Sequence, residues 1–141
     1  MFSLEKVDTG SQKHINGLFD ILCSRKYNIS HKQNPNFQEH ENFVKNNPYR
    51  KWYLIINANR YEGTIYITYS NIIGVNLTLP TVEKYKDAIN LVLKNHKPLK
   101  PIKSVRSAYF IINTNPYNNT LQKTLEELNF ELIERSYAFI K

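Results

Sequence analysis

The sequence predicts one α/β domain over residues 1–141, of the α+β kind with a mixed sheet, and three observations predict it. Apolar residues recur at helical spacing in some stretches and at strand spacing in others, alternating along the chain with no repeat and no linker. At 141 residues the chain has the length of one ordinary domain. Hydrophobic residues, at 41%, are enough for a core, and charged residues, at 22%, are too few for a disordered chain.

Each element has a local cause. Phe2-Ser3-Leu4-Glu5-Lys6-Val7 alternates apolar and polar at period two, as a half-buried strand does. Asp8-Thr9-Gly10-Ser11 then supplies a turn and helix-capping side chains. Ile15, Leu18, Phe19 and Leu22 follow helical spacing, so a first helix runs from Ser11 to near Arg25. Cys23 falls within that stripe and reads as a buried structural thiol. Asn34-Pro35-Asn36 introduces a second helix with Phe37, His40, Phe43 and Val44 on its apolar face, and Asn46-Asn47-Pro48 stops it.

Three strands follow as a meander, over 51–57, 63–69 and 72–79, rich in β-branched and aromatic residues, with polar turns at Asn59-Arg60 and Ser70-Asn71. Pro80 closes the third, since it has no N–H for a ladder. Thr81 caps a third helix carried by Val82, Tyr85, Ile89, Leu91, Val92 and Leu93, which fades at Asn95-His96-Lys97-Pro98. Residues 105–113 form a further strand, with Tyr109-Phe110-Ile111-Ile112 expected to be buried on both faces. Asn115-Pro116 begins a fourth helix, with Leu121, Leu125 and Leu128 along one side. Asn129 follows its last turn, where a left-handed residue is wanted and Asn best replaces Gly. A terminal strand over 130–140 completes the order β-α-α-β-β-β-α-β-α-β.

The charge balance of +7 attracts polyanions, coenzyme A among them. The lysines are spread rather than clustered, which argues against a dedicated nucleic-acid interface; much of the charge follows a composition rich in Lys, Asn, Ile and Tyr. No apolar run approaches the ~20 residues of a membrane span, and the N-terminus lacks the order of a signal peptide. One cysteine excludes an internal disulfide, so the expected compartment is the cytoplasm. Four scattered histidines and Cys23 give no metal-ligand spacing, and there is no phosphate loop of the Walker kind, no dinucleotide fingerprint and no nucleophile elbow.

Several stretches, in this order, resemble the GNAT family of CoA-dependent N-acyltransferases. Phe37-Gln38-Glu39-His40-Glu41-Asn42-Phe43, followed by Tyr49-Arg50-Lys51-Trp52-Tyr53-Leu54-Ile55, is similar to the first half of a bacterial acetyltransferase subgroup, with a Glu-His pair on the second helix and a Trp-Tyr pair opening the second strand. Glu62-Gly63-Thr64-Ile65-Tyr66-Ile67 and Ile72-Ile73-Gly74-Val75 resemble the family's third and fourth strands. Asn113-Thr114-Asn115-Pro116-Tyr117-Asn118 and Glu126-Glu127-Leu128-Asn129-Phe130 resemble its last strands and fourth helix.

The resemblance implies a GNAT-like fold with splayed fourth and fifth strands, and transfer of an acetyl or other acyl group from acyl-CoA to an amine of a small molecule or protein. It makes acetyl-CoA the co-substrate. Main-chain groups of the fourth strand, at Asn76, Leu77, Thr78 and Leu79, would hold the pantetheine arm and polarise the thioester carbonyl. An ordinary sheet strand has the same sequence. Asn113 and Asn118 would touch the CoA arm, although Asn118 equally suits a hydrogen bond at a helix start.

The family's pyrophosphate cradle is glycine-rich, because backbone must approach phosphate closely. The matching Pro80-Thr81-Val82-Glu83-Lys84-Tyr85-Lys86-Asp87 has no glycine, which leaves Lys84 and Lys86 to attract phosphate against Glu83 and Asp87. The family's proton-donating tyrosine is matched by Leu125, so Tyr117 is the acid candidate and Glu39 the base, through water. His31, His40, Trp52 and Tyr53 are acceptor-site candidates, although packing or solvation accounts for each of them better. The rival expectation is a catalytically silent GNAT-like module that binds a ligand or a protein. An exposed fourth-strand edge, or a sixth strand open at the C-terminus, would support a homodimer.

Overall fold

A computed structural model describes residues 1–25 and 36–141. In chain order the elements are β1 (Ser3–Lys6), α1 (Gln12–Cys23), α2 (Phe37–Lys45), β2 (Tyr49–Asn57), β3 (Arg60–Thr68), β4 (Ile72–Leu77), α3 (Val82–Asn95), β5 (Ile111–Ile112) and α4 (Asn119–Glu127). The five strands form one sheet in the order β1-β2-β3-β4-β5, antiparallel throughout except that β4 and β5 run parallel.

Local chemistry sets most boundaries. Ser11, Asn36, Thr81 and Asn118 each cap a helix by accepting a backbone N–H three residues on, at 2.8 to 3.2 Å. The β2–β3 hairpin turns on Ala58 and Asn59, with φ of 51° and 62°. Two left-handed residues match the twist of the flanking strands, so Arg60 joins β3 opposite Asn57 instead of sitting in the turn. At the end of α4, Asn129 has φ 64°. There Phe130 N–H donates to the Leu125 carbonyl at 2.8 Å and Asn129 N–H to the Glu126 carbonyl at 3.0 Å. This pairing satisfies carbonyls the helix leaves open, while Leu125 and Phe130 both pack on the core.

The alternation of side chains across the sheet divides the interior in two. One face carries Ile55, Ile65, Ile67, Ile73, Val75 and Leu77 against Tyr85, Ala88, Ile89 and Val92 of α3 and Leu121 of α4. The other carries Leu54 against Ile15, Leu18 and Ile21 of α1 and Val44 of α2.

Three expectations are corrected. The strand expected over 105–113 is regular only at Ile111 and Ile112, because Ile102 and Arg106 bridge around a turn with Ser104 at φ 63° and Ser107 Oγ bonds the Tyr109 carbonyl. As an edge strand it buries neither face fully, and Tyr109 is 55% exposed. Residues 130–141 adopt no regular structure: a strand needs a ladder neighbour, and β5 is too short a template. Cys23 is exposed, since the last residue of α1 turns away from the stripe of Ile15, Leu18 and Ile21. No helix among the described residues is long and apolar enough to cross a membrane.

Candidate functional site

Strands β4 and β5 pair at only two positions, Ile72 with Ile111 and Ile73 with Ile112, and then part. The Thr78 N–H bonds the Glu62 carbonyl at 2.9 Å, so even-numbered residues of β4 turn their main chain towards β3. The odd-numbered residues turn theirs the other way. Ile111 N–H accordingly donates to the Asn71 carbonyl, and beyond Ile73 the main-chain groups of Val75 and Leu77 face a gap with no strand opposite. The gap is a cleft of about 140 Å³ lined on one side by Gly74, Val75 and Asn76, and on the other by Asn113, Asn115 and Asn118.

One end of this cleft is locked by Asn71, which is fully buried in the turn between β3 and β4. Its side-chain amide donates to the carbonyls of Leu99 and Ser107, both at 2.9 Å, and its oxygen accepts the Leu99 N–H at 2.8 Å. Asn tolerates the φ of 63° there. One side chain thus ties β4 to the connection between α3 and β5.

Above the same end lies an aromatic group on the α1–α2 face of the sheet. Tyr66 is paired with Gly74 across the ladder and lays its ring over it; a Cβ on residue 74 would run into Tyr66 Cζ. Tyr49 stacks on Tyr66 with ring centroids 3.9 Å apart, and Trp52 packs edge-on to Tyr49 at 4.9 Å. Burial, with the neighbouring Tyr66 hydroxyl, pushes the Tyr49 phenol well above its ordinary range, so it stays protonated. Arg25, just past α1, is half-buried in the cleft wall beside Tyr66. Burial lowers its pKa, while the two tyrosines oppose that shift.

The other end lies at the start of α3. Thr81 caps the helix through Lys84 N–H, and Lys84 Nζ forms an ion pair with the buried Glu62 at 2.8 Å. That hydrogen bond, with a second from Asn57, holds the Glu62 carboxyl below its ordinary range. Lys86 is paired with Glu127 of α4 at 2.6 Å and with Glu83 at 3.7 Å.

The residues singled out from the sequence are thus divided. Asn76, Asn113 and Asn118 line the cleft, and Asn118 caps α4 as well. Leu77 sends its side chain into the core while its main chain faces the gap. The Thr78 N–H is taken by Glu62, and Leu79 lies beyond β4, 68% exposed. Glu39 is exposed on α2 and Tyr117 is 77% exposed before α4; neither lines the cleft. His40 is buried with Nε2 3.0 Å from the Ile15 carbonyl. Trp52 donates to Thr64 Oγ1 at 2.7 Å on one face, and the Tyr53 hydroxyl meets His96 Nε2 at 2.7 Å on the other. Leu125 packs on the core. His31 lies outside the described residues. Arg25, Tyr66 and Val75 were not anticipated; the Ile-Gly spacing of β4 was the only hint that an aromatic ring crosses it. Among the described residues no three His, Cys, Asp or Glu side chains are grouped to hold a metal.

No protein-family model matches the sequence, and no curated protein matches it. Solved structures do match. PseH, an N-acetyltransferase of Campylobacter jejuni solved with acetyl coenzyme A, superposes with a TM-score of 0.62 at 14% identity, covering 96% of this chain and 92% of that one. AAC(6')-Iy, solved with the bisubstrate analogue CoA-S-monomethyl-acetylneamine, gives 0.62 at 12% identity over 100% and 98%. A possible acetyltransferase from Clostridium difficile 630 gives 0.59 at 11% identity over 100% and 98%. At these identities the likeness is one of fold.

Proposed function

We propose that this chain, which has the GNAT fold of those acetyltransferases, is a CoA-dependent N-acyltransferase that moves an acetyl or related acyl group to an amine. One observation carries the proposal: β4 and β5 part after two paired residues and leave Val75 and Leu77 main-chain groups turned into the gap. A strand edge of this kind binds an extended arm as a neighbouring strand would, and an N–H in it would stabilise the oxyanion formed when the amine attacks the thioester carbon. Asn76, Asn113 and Asn118 would flank the arm. The departing thiolate needs a proton and the amine must lose one. Tyr117 and Glu39 are our candidates, each reaching the reacting atoms through solvent. We assign the protein to the reducing cytoplasm, supported by its single cysteine.

A silent binding module is the second reading, favoured by the start of α3, where no glycine opens the backbone and both lysines are held by carboxylates. We also include a homodimer, supported by the exposure of Leu132, Ile133, Tyr137 and Phe139 in the unpaired tail; sedimentation velocity would reveal it. Thermal shift with acetyl-CoA and free CoA tests the main proposal, since a ligand of the native state raises the melting temperature by mass action. No shift at millimolar concentration overturns it. A shift without thiol release, across a panel of amines, selects the silent module.

A further inference from the structure

We infer that Arg25 is an anion-recognition residue of the acceptor site, so that the amine accepted here carries a carboxylate. The inference rests on the proposed acyl transfer, whose slot it shares. Arg25 stands half-buried in the wall of the cleft, next to Tyr66, Gly74 and Asn76. All twelve Asp and Glu side chains of the chain lie among the described residues, and none is within ion-pair distance of it. Residues 26–35, which follow it, contain no Asp or Glu. A guanidinium withdrawn from water without a carboxylate is an unfavourable arrangement, and a bound anion would relieve it.

Position favours the acceptor over the cofactor as the source of that anion. Arg25 lines the cleft with Tyr66 and Gly74, whereas the start of α3, where phosphates would be met, follows Leu77. Three strand residues separate the two, roughly 10 Å. The hydroxyls of Tyr49 and Tyr66 stand beside the guanidinium and would share in holding the same anion. A carboxylate suits this fork, because two parallel N–H groups match its two oxygens.

The test is an NMR titration of the full chain labelled with 15N, with the Arg25 Nε–Hε signal assigned by its loss in Arg25→Gln. The probes are glycine, β-alanine and L-glutamate, each beside its amide, with acetyl-CoA titrated separately. The acids should move the Arg25 signal and bind about tenfold more tightly than the amides, as a charge-assisted pair would give. Arg25→Gln should remove that ratio and leave acetyl-CoA binding unchanged, while Arg25→Lys keeps part of it. Equal binding of acids and amides, no binding by any acid, or loss of acetyl-CoA binding in Arg25→Gln would overturn the inference; the last would hand the charge to a CoA phosphate. Acid-selective shifts without acetyl-CoA binding would instead remove the transfer reading and leave the anion site standing.

Discussion

The two ends of the cleft handle charge in opposite ways. At the start of α3, Lys84 and Lys86 are both matched to carboxylates. Below Tyr66, Arg25 has none. The sequence places the attractive cations at the first end and passes over the second. A count of charges along the chain therefore says little about which of them can bind something. Side chains that neutralise one another hold structure, and the one left over is available to a ligand.

Five variants break or sharpen this contrast. Asn71→Ala should do most damage, because it removes three hydrogen bonds of a buried side chain and leaves Ala in a left-handed conformation. The cost should be about 3 kcal/mol, a fall of roughly 10 °C in melting temperature. An unchanged melting temperature would mean that Asn71 does not lock the cleft.

Next comes a matched pair. Lys84→Met leaves Glu62 buried with only Asn57 as partner and should cost about 2 kcal/mol at pH 7. Arg25→Met removes a charge with no carboxylate and should cost close to nothing or stabilise slightly. Equal losses in urea unfolding would erase the contrast. Because its folded-state pKa is depressed, Glu62 contributes stability that is present above its ordinary value of 4.5 and lost as pH falls through the folded value. The gap between wild type and Lys84→Met should narrow in that acid range.

A smaller effect belongs to His40, whose pKa burial lowers from 6.5. The unfolded chain then takes up the proton first, so the stability is whole above 6.5 and declines as pH drops below it. His40→Gln should flatten the melting-temperature profile between pH 7.5 and the acid side, His96 keeping a residual slope since burial lowers it also. The smallest change is expected for Tyr61→Phe. The Tyr61 hydroxyl is buried with no hydrogen-bond partner among the described residues, so its removal should be neutral or stabilise by up to about 1 kcal/mol.

Elements whose causes are local were legible in the sequence. Ser11, Asn36, Thr81 and Asn118 cap helices, and Asn129 takes the left-handed position. What depends on pairing was not. The length of β5 is decided by the bridge between Ile102 and Arg106 and by how far β4 runs beside it. Which main-chain groups face the gap depends on parity within the β3–β4 ladder, and a shift of one residue exchanges Val75 for Asn76. Arg25 reads as an ordinary cation at a helix end until Tyr66 and Gly74 are seen beside it. Asn71 reads as a turn residue, which it is, and nothing in its neighbours announces the 28-residue reach to Leu99.

The contact of Tyr66 with Gly74 constrains what substitutions this part of the fold accepts. A Cβ at position 74 cannot coexist with the ring in its present place, so the Tyr66 side chain would have to give way. A descendant bearing alanine there must either have turned the tyrosine ring aside or traded it for something smaller, and each change would unstack Tyr49. Substitution at position 74 is thus coupled to the placement of the ring at position 66.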